Sequence, residues 1–255
     1  MKRLLMGWVI VGLSICVAPA FGQGEGVLSD LGISVSGDVS YYSEYIWRGM
    51  LLDGDPVIQP GWYISSPDWK AGKLTAKLWT SHDLSNSDPR TTSEEYDYIL
   101  DYTYALDSVS FSAGHTYYDF PQADAFSKEF YVGVGFPKVF LSPSAFYYRD
   151  YGSQEDGGGM GSYTLVNLAK SLPFEIKGTP ASLELAGHYG YNYELFINGK
   201  GGDIGLSVGL KLQMTKNLTC MPNINYSIPT GDLKSASDGN QKERFYTGVV
   251  VAYAL

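Results

Sequence analysis

The last eleven residues, Phe245-Tyr246-Thr247-Gly248-Val249-Val250-Val251-Ala252-Tyr253-Ala254-Leu255, alternate bulky and small side chains. Successive side chains of a β-strand point to opposite faces. Phe245, Thr247, Val249, Val251, Tyr253 and Leu255 therefore share one face, while Gly248, Ala252 and Ala254 fall on the other. A strand this apolar, left uncovered at the edge of a sheet, invites aggregation. A closed transmembrane barrel removes the edge, because its last strand pairs with its first.

The same period of two recurs along the chain. In 94–106, Tyr96, Tyr98, Leu100, Tyr102, Tyr104 and Leu106 oppose Glu95, Asp97, Asp101 and Thr103. Over 33–47, Ile33, Val35, Val39, Tyr41, Tyr45 and Trp47 oppose Ser34, Ser36, Asp38, Ser40, Tyr42 and Glu44, with Arg48 next on that polar face. Leu74, Ala76 and Leu78 oppose Lys73, Thr75 and Lys77; Phe130, Val132, Val134 and Phe136 oppose Glu129, Tyr131, Gly133 and Gly135. Leu183, Leu185 and Tyr189 oppose Ser182, Glu184 and His188; Ile204, Leu206, Val208, Leu210 and Leu212 oppose Gly205, Ser207, Gly209, Lys211 and Gln213. Similar stretches near 109–117 and 218–226, and weaker ones near 57–64, 141–151 and 161–170, bring the count with the last strand to about twelve.

The connections alternate in length. Short ones fall near 66–72, 107–108, 137–140 and 214–217, with an intermediate one at 171–180. Longer polar ones fall near 50–56, 82–93, 119–127, 152–160, 192–203 and 228–243. Outer-membrane barrels pair short periplasmic turns with longer outer loops. A soluble β-sandwich or lipocalin-like barrel would turn its apolar faces inward. Here the opposite faces are small, hydroxylated and charged, which suits a wet, crowded lumen. The expected fold is all-β, a single antiparallel up-and-down transmembrane barrel.

The N-terminus agrees. Lys2 and Arg3 precede an apolar stretch from Leu4 to Ala18, then Ala18-Pro19-Ala20 and a Gly/Gln-rich run. This is the pattern of a secretory signal peptide, expected over 1–22, with the barrel over 23–255. The apolar run is shorter than the roughly 20 residues of a spanning helix, which weighs against a membrane anchor. Ile15 before Cys16 weighs against a lipoprotein signal. Beyond the leader only Cys220 remains, so no intramolecular disulfide is expected. Without Lys2 and Arg3, 16 basic side chains face 27 acidic ones, a net charge of −11. That excludes nucleic acid as the expected partner.

Two resemblances add to this reading. The order Tyr246-x-Gly248-x-x-Val251-x-Tyr253 resembles the C-terminal signal read by the outer-membrane barrel-insertion machinery, although the chain runs two residues past it. Ser43-Glu44-Tyr45-Ile46-Trp47-Arg48-Gly49-Met50, followed by Asp55-Pro56-Val57-Ile58-Gln59-Pro60-Gly61, resembles the opening motif of the bacterial family called Gcw_chp. Tyr117-Tyr118-Asp119-Phe120-Pro121 is similar to a mid-chain stretch of that family. Glu44 departs from its commoner Asp. The resemblance implies a barrel in the outer membrane of a Gram-negative bacterium, with a channel role and no catalytic residues.

Chemistry is sparse. Arg48 is expected in the lumen, paired with Glu44, Glu95, Asp97 or Asp101. Its bland reading is a structural salt bridge beside a Gly49 turn; its functional reading is a charged constriction. His188 on the inward face beside Glu184 could orient a nucleophile, but no Gly-x-Ser-x-Gly element accompanies it. His82 reads as loop and His115 as interfacial. Asp53-Gly54-Asp55 and Asp83-x-Ser85-x-Ser87-Asp88 carry oxygen ligands without the downstream Glu of a calcium loop. No catalytic residue, cofactor or metal is expected. The expected partners are outer-membrane lipid, the insertion machinery and small hydrophilic solutes.

The functional expectation is a narrow passive channel. Its candidate lining is Asp38, Glu44, Arg48, Lys73, Lys77, Glu95, Asp97, Asp101, Glu129, Glu184, His188 and Lys211, an acid-biased set favouring cations. Tyr42, Trp79 and Tyr131 could instead point inward and fill the bore. The alternative is a non-conducting barrel acting as scaffold, adhesin or lipid-modifying enzyme.

Overall fold

The computed structural model describes residues 27–85, 94–236 and 241–255. The expected signal peptide over 1–22 lies outside the described residues, as does part of the 82–93 loop. After a short helix, Val27–Asp30, the chain enters β1 (Ser34–Tyr42). Two short strands follow, β2 (Tyr45–Trp47) and β3 (Met50–Asp53), and then β4 (Val57–Ser65), β5 (Lys73–Asp83) and β6 (Glu95–Ala105). The remainder is β7 (Ser110–Phe120), β8 (Ala125–Gly135), β9 (Ser144–Asp150), β10 (Ser162–Ile176), β11 (Thr179–Tyr193), β12 (Lys200–Gln213), β13 (Leu218–Gly231) and β14 (Arg244–Ala254).

Twelve strands, all but β2 and β3, form one closed antiparallel barrel. The expected count is met. Closure joins β1 to β14, with Ser36 opposite Ala254 and Tyr42 opposite Gly248. The alternation sorts the side chains as the sequence requires. On β6, Glu95, Asp97 and Asp101 are buried inward, while Tyr98, Leu100 and Tyr102 are exposed on the outer wall. On β14, Tyr246, Val250, Ala252 and Ala254 are buried, while Phe245, Val249, Val251 and Tyr253 are exposed. Leu206, Val208 and Ile224 extend the apolar outer surface to β12 and β13. Such a wall suits a hydrocarbon band.

Three expectations are corrected. The strand over 33–47 ends at Tyr42, and the chain then leaves the wall. The connection at 171–180 is mostly strand: β10 and β11 meet at the two-residue turn Lys177-Gly178, whose φ angles of 50° and 80° are those of a tight hairpin turn. Pro173 lies past the end of β9, whose pairing with β10 stops at Asn167–Ser144, and Pro180 lies just before the first β11–β12 pair, Ala181–Leu212. A proline near an unpaired edge is tolerated. Finally, the 119–127 connection is only four residues, built on a 3₁₀ turn over Pro121–Ala123, with Asp124 in the left-handed region. The start of β1 and the end of β14 lie at one rim with the short turns; the longer loops gather at the other.

Candidate functional site

Strands β2 and β3 form a hairpin that folds into the barrel. Its turn is Arg48-Gly49, with φ of 49° and 77°. Two successive positive φ angles define the tight turn that reverses the chain here. Tyr45, Ile46, Trp47, Arg48 and Met50 are all buried. Gly49 is required on a second ground: a Cβ there would come within 2.5 Å of the Asp203 Cβ and 2.8 Å of Leu233 Cδ2.

The hairpin crosses the bore. Near its base, the Tyr45 hydroxyl donates to Glu95 Oε2 (2.9 Å), and its ring packs on Trp79 at 5.8 Å. At its tip, Arg48 Nη1 and Nη2 donate to Glu129 Oε2 and Oε1 at 2.7 and 2.8 Å, a bidentate pair on the far wall. The guanidinium carbon lies 4.4, 4.4 and 4.6 Å from the ring centroids of Trp47, Tyr148 and Tyr163. Tyr118 completes Glu129, donating to Oε1 at 3.0 Å. A planar guanidinium matches this cage better than an ammonium, since it stacks and forks at once. On β3 the Leu51 amide donates to Gln241 Oε1 (2.8 Å), and Leu233 closes over Gly49.

The structure buries Arg48 on Glu129 rather than on Glu44, Glu95, Asp97 or Asp101. Glu44 stays at the rim, accepting from Arg244 Nη1 at 3.0 Å. Glu95 turns to Tyr45, with Asp97 buried beside it. Asp101 accepts from Tyr131 (2.6 Å) and Thr103 (3.1 Å), with Lys77 close by. Asp38 accepts from Tyr63. Glu184 accepts from Ser171 (2.7 Å) and Ser182 (2.5 Å), near Lys211. Lys73 lies 3.8 Å from Asp68 at the short-turn rim. His188 Nε2 meets Asp203 Oδ2 at 2.5 Å, so its carboxylate partner is Asp203 and not the Glu184 considered from the sequence. Asp203 also accepts from Tyr163 at 2.9 Å.

Tyr42, Tyr131 and Trp79 do point inward, and Tyr148, Tyr163, Phe146, Met221 and Tyr246 join them. The lumen is consequently divided. Toward the long loops it is filled by the hairpin and its aromatic cage. Toward the short turns, Asp38, Lys77, Glu184 and Lys211 remain partly accessible. Asp150, Asp203 and Arg244 are inward charges that the sequence did not single out; β9 was too short to show its facing, and Asp203 sits among glycines. No described group of three or more His, Cys, Asp or Glu side chains could hold a metal ion. In the C-terminal strand Tyr246 and Gly248 face the lumen, whereas Val251 and Tyr253 face outward.

No protein-family model matches the chain, and no curated protein does. Solved structures do. The NanC porin superposes with a TM-score of 0.52 at 9% identity, over 87% of this chain and 100% of the porin. The KdgM porin gives 0.50 at 13% identity, over 86% and 99%. An outer membrane channel from Pseudomonas putida F1 gives 0.51 at 9%, over 87% and 95%. The chain has the fold of an outer-membrane β-barrel. The likeness covers 86–87% of this chain and 95–100% of these three structures.

Proposed function

We propose that this chain is a narrow, porin-like channel of the Gram-negative outer membrane, passing small hydrophilic solutes and favouring cations. The observation that carries the reading is the divided lumen. A polar, partly accessible vestibule on the short-turn side leads to a constriction made by one nine-residue hairpin. Such a hairpin sets the bore without altering the wall. NanC, KdgM and the Pseudomonas channel, which share the fold, are by name porins or channels, and this supports the reading.

In this account residues 1–22 direct export, and the Tyr246, Gly248, Val251 and Tyr253 pattern serves recognition by the insertion machinery. The resemblance of 43–61 to Gcw_chp agrees, and gives its Trp-Arg-Gly segment a physical role as the tip of the constriction. Asp38, Glu44, Glu95, Asp97, Asp101, Glu129 and Glu184 outnumber Arg48, Lys73, Lys77 and Lys211 around the lumen. An excess of one sign in a pore favours the counter-ion.

The burial of Tyr45, Trp47 and Arg48 favours one competitor, a barrel that never conducts and serves as scaffold, adhesin or lipid-modifying enzyme. Planar-bilayer recording separates them. The native protein should give a small conductance, and a variant with 45–53 replaced by a short Gly-Ser bridge a larger one. Two folded samples without conductance would favour the competitor.

A further inference from the structure

The outer wall of β7–β9 carries an arrangement that the channel reading does not use. At the long-loop rim, Lys128 on β8 lies opposite Tyr117 on β7. One row deeper, Phe130 lies opposite His115 on β7 and opposite Arg149 on β9. Lys128, His115 and Arg149 all point outward on these strands. His115 and Arg149 thus flank Phe130 about 10 Å apart, two strand spacings, with Lys128 above. The Tyr151 hydroxyl meets His115 Nε2 at 2.6 Å, and its ring lies 6.3 Å from that of Phe130. Lys128 rests over the Phe126 ring at 5.2 Å. Among the described residues, neither Lys128 nor Arg149 has an ion pair. Asp119 is a row further out, opposite Phe126.

Directly below this triad the wall becomes apolar. Val132 is 50% exposed and Phe130 43%, and Val132 sits between Ala113 and Tyr147. A single basic side chain at a membrane interface needs no partner, because it snorkels. Two basic groups flanking Phe130 and a third one row above it, over a shallow surface floored by valine and alanine, complement the chemistry of an amphiphile: anionic head, hydrocarbon tail. Arg and Lys together suit phosphate oxygens, and anionic headgroups draw such clusters at membrane surfaces. A free anion would leave the apolar half of the surface unexplained.

We infer that Lys128, Arg149 and His115 bind the phosphate of an outer-leaflet glycolipid, whose acyl chains lie along Phe130 and Val132. This rests on the outer-membrane reading. The full-length folded barrel in neutral detergent is mixed with diphosphoryl lipid A, and bound lipid is read by native mass spectrometry beside the melting temperature. The wild type should retain lipid A and melt higher with it. Lys128→Gln with Arg149→Gln should lower the bound fraction at least tenfold. Lys128→Arg with Arg149→Lys should restore it, and Lys200→Gln, on another part of the wall, should not change it. Equal retention by the glutamine variant, or equal binding of dephosphorylated lipid A, overturns the site. If inorganic phosphate raises the melting temperature as much as lipid A, the site reads free phosphate and the lipid assignment fails. A wild type with no heat-modifiable folded band would overturn the membrane reading and the lipid site together. Lost lipid selectivity in a folded barrel overturns the lipid site alone.

Discussion

Arg48 and Glu129 are held together by two hydrogen bonds of 2.7 and 2.8 Å, across a lumen that separates β1 from β8. Both side chains are buried, and both belong to segments that share no backbone pairing. The ion pair is therefore the bolt that fixes the hairpin to the opposite wall.

Removing one partner of a buried pair leaves an uncompensated charge and costs about 3–5 kcal/mol. Arg48→Met should accordingly lower the temperature at which the folded, SDS-resistant band is lost, and Glu129→Gln should do likewise. Replacing both, with Arg48→Met and Glu129→Leu together, should cost much less than either alone, since no orphan charge remains. A double variant as unstable as the sum of the singles would remove the bolt from this account.

Gly49→Ala should destabilise the hairpin seat by more than its backbone strain. An L-residue in the left-handed region costs about 1–2 kcal/mol, and here the new methyl also meets Asp203 and Leu233. Gly178 has a similar φ of 80° but nothing within 4 Å of its virtual Cβ. Gly178→Ala should therefore show the backbone effect alone. Urea midpoints of the two variants, measured side by side in vesicles, give the comparison.

Cys220 lies on the outward face of β13, in line with Leu218, Ile224 and Tyr226. In intact cells a membrane-impermeant maleimide should label it poorly, whereas an apolar maleimide should reach it. Ready labelling by the impermeant reagent, or recovery of the protein in the soluble periplasmic fraction, would contradict the orientation of the wall.

The wall was legible in the sequence because lipid and lumen make opposite demands on alternate residues; Tyr96 to Leu106 could hardly be read otherwise. The hairpin was not. Tyr45 and Trp47 continue the alternation of β1, so the pattern carries on where the chain turns inward. The one local signal is Arg48-Gly49, a pair that accommodates two positive φ angles. Glu129 was placed on the correct face but not matched to Arg48, because that match depends on how far a hairpin reaches across a closed barrel. The stretch 171–180, expected as a connection, is mostly strand for a related reason: whether a proline-bearing segment stays in a strand depends on what lies beside it.

Single-channel recording tests the central claim most directly. Native protein in a planar bilayer under a potassium chloride gradient should show small, discrete steps. Its reversal potential should indicate modest cation preference, fading at high salt as the lumen charges are screened. Replacing 45–53 by a Gly-Ser bridge should enlarge the steps and keep the preference. Absence of conductance from both proteins in folded form, or steps of equal size from both, would contradict a channel whose bore is set by this hairpin.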